Sequence, residues 1–295
     1  MSTINIQFTL FSAFYSPLIS TMTGGFLKQE GLDYTWSVAK PGTSAIASLL
    51  DGSAHIVQSA LSQGFASLDK GETPPCVHFA QVNEMDGFFL TARDADANFT
   101  WSKLEGADVL VHHAGQPMAM FKYACHQAGI DFAKINVIDA GNGAQIDQAF
   151  RDGQGQYVHQ QGPAPQQLQA DGVGHVVAPV GPVIGSCGFS SLACTREWLQ
   201  TDMAKAFTRA YTKTRNYMND TPAIEIARAE AEHFANIDQA VLADCIATYQ
   251  QLGCWTRHVN ITKPAYEKIL DIYEFNKAVN ARYAYEQVCA EPPAV

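Results

Sequence analysis

The sequence predicts an α/β fold with two lobes, each a mostly parallel sheet flanked by helices, followed by a helical C-terminus. Up to Thr195, short apolar or alternating segments recur between helical segments of about ten residues. This alternation is typical of right-handed βαβ units, because neighbouring parallel strands need a crossover between them. After Thr195, only helical periodicity remains.

The first part of the chain predicts four strands separated by helices. A proline-glycine turn at 41–44 opens the second helix, and Ile46, Leu49 and Leu50 are predicted to share its buried face. The predicted strands are 4–10, 32–39, 55–58 and 76–82, and the other predicted helices are 17–30 and 62–70.

The middle of the chain repeats the alternation and therefore predicts a second sheet. Its strands are predicted at 88–93, 108–111, 135–139, 155–159 and 175–180, and its helices at about 117–127, 145–151 and 163–170. An apolar, strand-like segment follows at 188–194. The C-terminal helices are predicted at 202–219, 222–235, 238–251 and 263–275, and Thr221 followed by Pro222 is a typical helix start.

The chain is expected to cross between the two sheets near 88–93 and again near 180–189. Lobe I is therefore predicted to comprise 1–87 and 189–295, and lobe II to comprise 88–188. Two such sheets direct the carboxyl ends of their strands towards a shared cleft, which is where open α/β sheets bind ligands.

Composition excludes several classes of protein. The chain has 295 residues, which corresponds to about two domains, and 47% of them are apolar. A chain of this kind buries a core, so it is neither disordered nor of low complexity. The net charge of -10, with dispersed basic residues, gives no electrostatic footprint for nucleic acid. We expect no membrane span, because no run of about 18 apolar residues occurs.

Neither a metal nor a cofactor is expected. The seven cysteines are irregularly spaced and form no CxxC pair, which disfavours a disulfide framework or a zinc ribbon. No GxGxxG, Walker, HExxH or GxSxG pattern occurs.

The N-terminal residues do not resemble a secretory signal. The expected location is periplasmic if a signal peptide was trimmed from the chain, and cytoplasmic if Met1 is the native start.

Four short segments, taken in their order and spacing, resemble those of a known family. They are 26–32 (FLKQEGL), 49–56 (LLDGSAHI), 104–109 (LEGADV) and 194–199 (CTREWL). The chain resembles the periplasmic-binding-protein-like (type 2) superfamily. Within this superfamily, the chain resembles the branch of the nitrate/sulfonate/taurine and thiamine-pyrimidine (NMT1/THI5-like) solute-binding proteins of ABC transporters. The resemblance implies two lobes that close on a small molecule by hinge motion.

The resemblance implies two alternative functions, because most members are receptors of ABC importers and a few are enzymes on the same fold. The favoured hypothesis is a solute-binding protein for a planar or polar heterocycle or a sulfonate-like compound, with an ABC permease as partner. The alternative is a cytoplasmic enzyme of the pyrimidine-precursor synthase, decarboxylase or desulfinase type. Cys187 and His159 are its candidate catalytic residues.

The pyrimidine version of the enzyme is disfavoured by two departures from the family pattern. The related synthases place a histidine near the position where this chain has Ser62 and Gln63. They also carry a cysteine cluster, of which Cys187 is the single possible counterpart here.

Loops that follow the strands of lobe I supply the first candidate ligand-binding residues. An aromatic ring stacks well on a flat ligand, and the start of a helix binds an anion or a carbonyl group. Packing, helix capping and a solvated loop are the structural alternatives for these features. The candidates are Ser12, Phe14, Tyr15, Gly42, Thr43, Ser44, Ser59, Gln63, Glu84 and Asp86.

Lobe II supplies the second set of candidates. The resemblance implies that a glycine-containing turn presents a helix N-terminus to the ligand, and that a polar residue after a later strand lies over it. The candidates are His113, Gly115, Gln116, His159, Gln160, Ser186 and Cys187. The adjacent pair His112 and His113 is not expected to bind one metal ion, because neighbouring residues of a strand point to opposite faces.

Overall fold

The structure is a computed structural model that describes residues 1–40, 43–44, 46–113 and 115–295. It contains two five-stranded sheets. Sheet I has the order β2-β1-β3-β10-β4, and its strands are β1 (Ser2–Phe8), β2 (Leu32–Val38), β3 (Ile56–Ser59), β4 (Val77–Asn83) and β10 (Ser190–Cys194). Sheet II has the order β7-β6-β8-β5-β9, and its strands are β5 (Phe88–Ala92), β6 (Asp108–Val111), β7 (Asn136–Ile138), β8 (Tyr157–Gln161) and β9 (His175–Pro179).

Helices cover both sheets. Those of the N-terminal and middle parts are α1 (Ser16–Thr23), α2 (Phe26–Gln29), α3 (Ala47–Leu50), α4 (Ser62–Leu68), α5 (Gly115–Gln127), α6 (Gly143–Arg151), α7 (Ala164–Ala170) and α8 (Gly181–Ile184). Those of the C-terminal part are α9 (Asp202–Asp220), α10 (Ala223–Glu230), α11 (Gln239–Leu252), α12 (Lys263–Phe275) and α13 (Tyr285–Val288). In the described part of the chain, no helix is long and apolar enough to cross a membrane.

The two-lobed α/β fold with a helical C-terminus confirms the fold predicted from the sequence. In sheet I, β1 pairs in parallel with β2 and β3, whereas β10 runs antiparallel between β3 and β4. In sheet II, β6 pairs in parallel with β7 and β8, whereas β5 runs antiparallel between β8 and β9. The antiparallel strand of each sheet directly follows one of the two crossovers, which is how the chain changes lobe twice.

Two local predictions were wrong. The predicted helix 17–30 is broken into α1 and α2, because Gly25 adopts a positive φ of 75° that favours glycine. Leu50 does not share a buried face with Ile46 and Leu49, since it is 60% exposed at the last position of the single-turn helix α3. The helix α12 has the predicted bounds, with Thr262 as its N-cap.

The two crossovers are hydrogen-bonded to each other and form the connection between the lobes, here called the hinge (84–87 and 185–189). The amide of Cys187 donates to the carbonyl of Glu84 at 2.9 Å, and the amide of Phe189 donates to that of Asn83 at 3.1 Å. The Glu84 carboxylate also accepts from the hydroxyl of Ser186 and lies 3.0 Å from Nε2 of His258. We propose that the lobe boundaries predicted above, 1–87 with 189–295 and 88–188, fall in this hinge.

Buried polar groups from the C-terminal helices hold the hinge in place. The fully buried Arg215 of α9 donates to the carbonyl of Val82 at 2.7 Å and to that of Thr256 at 2.6 Å. The indole of Trp255 donates to the Phe14 carbonyl and to the Asn83 side chain. Two of these contacts, to Val82 and Asn83, bind the end of β4 to the C-terminal part of the chain next to the hinge.

A buried carboxyl group lies between α1 and α10. Ser20 Oγ donates to Glu230 Oε1 at 2.6 Å, and Ser16 Oγ lies 2.7 Å from Oε2 and 2.8 Å from the Ala13 carbonyl. A hydroxyl has one hydrogen, so the chain is complete only if Glu230 is protonated and donates to Ser16, which then donates to Ala13. Burial accordingly raises the pKa of Glu230 to about 8.

This arrangement predicts the behaviour of Glu230→Gln. The folded protein holds a proton that the unfolded chain loses near 4.5, so this contribution to stability is present at low pH and is lost as the pH rises towards about 8. The glutamine donates to Ser16 and accepts from Ser20 without titrating. Between these pH values, the free energy of unfolding of the parent protein should fall by on the order of a few kcal/mol relative to that of the variant. Denaturant unfolding at a series of pH values measures this difference.

The control for this experiment is Glu225→Gln, because Glu225 is an exposed residue of the same helix. It should leave the pH dependence of the free energy of unfolding unchanged. If Glu230→Gln also leaves it unchanged, the carboxyl group is ionised in the folded protein and the proposed proton chain does not exist.

Candidate functional site

A partly open cavity of about 230 Å³ lies between the two lobes. Its walls come from the loop that follows β1 in lobe I and from the ends of strands and the starts of helices in lobe II. The lining residues are Leu10, Phe11, Ser12, Phe88, His112, Gly143, Ala144, Ile146, His159, Gln160, Gln161, Gly162, Pro163 and Ala164. This position agrees with the cleft that the sequence predicts at the carboxyl ends of the strands.

The wall from lobe I is largely apolar. Phe11 stacks on the indole of Trp36, with ring centroids 4.8 Å apart, and also contacts the ring of Phe234. Trp36 belongs to the edge strand β2 and is 38% exposed. Leu10, beside Phe11 on the cavity wall, is 40% exposed. The wall thus continues outwards as an apolar surface.

The wall from lobe II includes His159, which is fully buried in the middle of β8. Its imidazole lies between two phenyl rings. The Phe88 ring is 4.5 Å away at an interplanar angle of 17°, and the Phe121 ring is 4.6 Å away at 28°. Both faces of the imidazole are therefore covered, and a hydrogen bond to the ring can be made only at its edge.

Neither ring nitrogen of His159 has a hydrogen-bond partner among the described residues. Burial, with a smaller contribution from the neighbouring His112, lowers the pKa of His159 to about 3. The group is therefore a neutral imidazole with one N–H donor and one acceptor nitrogen. Burial also lowers the pKa of His112.

The side chain of Gln160 presents an acceptor at the same wall. Its Nε2 lies 3.3 Å from Asp147 Oδ1, and a carboxylate only accepts hydrogen bonds, which assigns the amide orientation. The Oε1 atom is buried and has no partner in the described structure. Gln160 therefore offers a carbonyl oxygen that is unsatisfied in the absence of a ligand.

Two helices begin at the cavity, and their first amides are already engaged. In α6, the amides of Ala144 and Gln145 donate to Asn142 Oδ1 at 3.1 Å each, and Gln145 Oε1 accepts from the Asn142 amide. Before α7, the amide of Gly162 donates to Tyr249 Oη at 2.8 Å. Pro163 follows and lacks an N–H. These helix starts are less suited to an anion than uncapped ones are.

Hydrogen bonds across the cleft hold the lobes together. Ser12 Oγ donates to Gln161 Oε1 at 2.7 Å. The Tyr249 hydroxyl, on α11, accepts from Gly162 and donates to the Gly87 carbonyl at 2.9 Å. Opening of the cleft breaks the bonds of Ser12 and Gly162, so these contacts belong to the closed arrangement.

Three of the predicted residues, Ser12, His159 and Gln160, line the cavity. Four others lie in the hinge, where Glu84 accepts from Ser186, the amide of Cys187 pairs with the Glu84 carbonyl, and Asp86 Oδ1 accepts from the amide of Phe88. The second Asp86 oxygen is buried without a partner in the described structure, and burial raises the pKa of Asp86 to about 7.

The remaining predicted residues lie outside the lining. Phe14 packs on Phe189 and Tyr249, and a Cβ on Gly87 would come within 2.3 Å of its ring, so Phe14 is a packing residue of the hinge. Tyr15 accepts from Gln161 at 3.4 Å. The other predicted residues outside the lining are the exposed Thr43, Ser44, His113 and Gly115, the half-buried Gln63, the buried Ser59, and Gln116, which donates to the Phe189 carbonyl. Gly42 lies outside the described residues.

Sequence reasoning did not select most of the apolar wall. Leu10 and Phe11 precede the predicted Ser12, and Gln161, Gly162 and Pro163 follow the predicted Gln160, so the two loops had been found without these members. Phe88 and Ile146 could not be selected from the sequence, because an apolar strand residue and an apolar residue of an amphipathic helix are equally expected in the hydrophobic core. In the described structure, no cluster of His, Cys, Asp and Glu is arranged to hold a metal ion.

Cys187 lacks the environment of a nucleophile. It is fully buried, and burial together with the negative charges of Asp86 and Glu84 raises its pKa well above the ordinary value. A reactive cysteine needs the opposite shift, because the thiolate is the nucleophile. The thiol is also absent from the cavity lining in the described part of the chain.

Comparison with known proteins places these features in a family. A family model described as NMT1/THI5 like matches residues 15–224. YtlA of Bacillus subtilis (strain 168), whose name proposes that it is a binding protein, is 27% identical over 281 residues. The match covers 94% of this chain and 84% of YtlA.

Two solved structures illustrate the likeness in fold. One is the ligand-binding component of an ABC-type import system from Staphylococcus aureus, with zinc bound. Its TM-score is 0.76 at 17% identity, and the match covers 99% of this chain and 97% of that chain. The alkanesulfonate-binding protein SsuA from Xanthomonas axonopodis pv. citri, bound to MOPS, has a TM-score of 0.74 at 13% identity, with 99% of each chain covered. At these identities, the likeness shows the fold.

The burial of all seven cysteines predicts that none reacts with a thiol reagent in the folded protein. Titration with Ellman's reagent should label none of them before denaturation and all seven after it. One thiol that reacts rapidly in the native protein, and that disappears in Cys187→Ser, would contradict this expectation and revive the enzyme hypothesis.

Proposed function

The chain belongs to the NMT1/THI5-like family, and from that premise we propose that it is a solute-binding protein that closes on a small organic molecule. The partner we propose is the permease of an ABC importer, which would receive the ligand from the closed protein. The names of YtlA and of the S. aureus import component are in keeping with both parts of this proposal.

The cavity between the lobes supports the proposal most strongly. Both lobes contribute to its lining, and the paired crossovers provide a hinge about which the lobes can separate. Ligand sites of this kind are concave and mostly apolar, with a few polar groups that orient the ligand. Phe11, Phe88 and Ile146 supply apolar surface here, and His159 and Gln160 supply polar atoms.

The size of the cavity sets the scale of the ligand. A cavity of about 150 Å³ is sufficient to bind benzene in a protein interior. At about 230 Å³, the cleft accommodates a substituted single ring or a compact polar molecule. A planar or polar heterocycle and a sulfonate-like compound both fall within this range, and we propose a ligand from these classes.

The lining favours binding over turnover. Its described members include no thiol, carboxylate or amine, which are frequent covalent catalysts. Histidine is the residue type that most often transfers protons, and burial lowers the pKa of both lining histidines, His112 and His159. The alternative hypothesis rests on Cys187 and His159. The first is buried in the hinge with a raised pKa, and the second is too weak a base to accept a proton near neutral pH.

The direct test is native mass spectrometry of the freshly purified protein, followed by denaturation and identification of any released small molecule. We expect one unmodified molecule per chain, held by the closed lobes. A covalent adduct, or conversion of the released molecule on incubation with the protein, would refute a purely binding role.

A matched pair of variants places the ligand in the cleft. Ala164 begins α7 and lines the cavity, whereas Ala170 ends the same helix and is exposed. Tryptophan at Ala164 fills the cavity, so we expect Ala164→Trp to lose the bound molecule or to bind it at least about a hundredfold more weakly. Ala170→Trp should retain it. Equal retention by both variants would place the ligand elsewhere.

A further inference from the structure

The ring of His159 restricts how any ligand approaches it. Phe88 and Phe121 cover its two faces with centroids at 4.5 and 4.6 Å, so a third ring has no face on which to stack. The hydrogen-bonding atoms of an imidazole lie at its edge and in its plane. Both are unpartnered in the described structure although the residue is fully buried. A ligand that hydrogen-bonds to His159 can therefore do so only at the edge of the ring.

His159 is uncharged around neutral pH. The titratable groups around the imidazole are His112, which lines the same cavity, and Asp147, which is hydrogen-bonded to Gln160. Burial holds the pKa of His159 at about 3 and lowers that of His112. His159 thus supplies a neutral donor or acceptor over the whole range around neutral pH.

The other polar groups of the wall also disfavour an anion. Gln160 presents its Oε1 acceptor because Asp147 holds its Nε2 donor. The amides at the start of α6 donate to Asn142 of their own chain. The described lining contains no lysine or arginine. An anion placed here would lose its hydration without gaining a charged partner, which is costly in a buried site.

We infer that the cleft takes an uncharged ligand that donates an N–H or O–H to Gln160 Oε1 and meets the edge of His159 with a second polar group, and that it rejects sulfonates and other anions. This inference rests on the proposed function and narrows its ligand class. Neutral heteroaromatic amides and amino-substituted heterocycles have the required edge, with donor and acceptor atoms side by side.

The inference is tested with two pairs of probes that share a ring and differ in charge. Nicotinamide is compared with nicotinate, and benzamide with benzenesulfonate, by isothermal titration calorimetry near neutral pH. We expect each neutral probe to bind at least about tenfold more tightly than its anionic counterpart. Binding of either anion as tightly as its neutral counterpart, or no binding of either neutral probe at millimolar concentration, would overturn the inference.

Variants identify the two groups that recognise the ligand. His159→Phe retains the stack of three rings and removes both edge nitrogens, and Gln160→Met removes the amide at similar volume. Each is expected to weaken nicotinamide binding at least about tenfold. His159→Phe should do so without lowering the thermal midpoint of the protein, because both nitrogens that it removes are buried and unpaired in the described structure. The control His175→Phe, at an exposed residue of β9, should not change affinity. Unchanged affinity in both site variants would refute the assigned contacts.

The pH profile provides a readout that packing alone would not change. Nicotinamide affinity should be flat between about pH 5 and 8, since His159 stays neutral there. A change that follows an ordinary histidine titration would contradict a neutral His159.

If the anions bind and Ala164→Trp abolishes their binding, the charge inference fails while the solute-binding role stands. If native mass spectrometry refutes binding in the cleft, the proposed function itself fails.

Discussion

The architecture depends on a short antiparallel contact between the two segments that connect the lobes. The amides of Cys187 and Phe189 donate to the carbonyls of Glu84 and Asn83. The segment that enters lobe II and the segment that leaves it are therefore joined where they pass between the lobes. Backbone groups buried between lobes must find partners, and these two segments satisfy each other. The close contact also requires glycine at position 87, where the Phe14 ring leaves no room for a Cβ. The two crossovers therefore form one hydrogen-bonded connection between the lobes.

The contacts that hold the cleft closed differ in kind from those of the hinge. Tyr249 uses one hydroxyl to bind Gly162 on the far side of the cleft and Gly87 in the hinge. The link from Ser12 to Gln161 lies directly on the cavity wall. Such neutral hydrogen bonds contribute about 1 kcal/mol each, because water replaces them on opening. A ligand that touches both walls adds to these contacts and can shift the equilibrium towards closure.

The fold was more predictable from the sequence than the site was. Alternation of strand and helix signals fixed the two sheets, because each strand needs a crossover of a certain length, and Thr262 followed by Lys263-Pro264 marked the start of α12 correctly. Ser12, His159 and Gln160 were selected because polar residues after strands face a cleft. Glu84 and Cys187 were selected as residues of the two predicted crossovers, and they lie there, but outside the cavity lining of the described structure. Sequence spacing shows which residues leave a strand, but not which of two facing surfaces they reach.

The unpaired atoms of the cavity connect stability with recognition. A buried donor or acceptor without a partner costs about 1–3 kcal/mol, and the imidazole of His159 and the Oε1 of Gln160 both carry this cost in the unliganded protein. A ligand that satisfies them recovers the cost on binding, whereas one that cannot do so leaves them buried and unpaired. Sites built on hydrogen bonds reject molecules that lack the matching group far more strongly than apolar pockets reject a change in size. The apolar walls therefore set how large a ligand can be, while selectivity between ligands of equal size depends on the edge of one histidine and one amide oxygen.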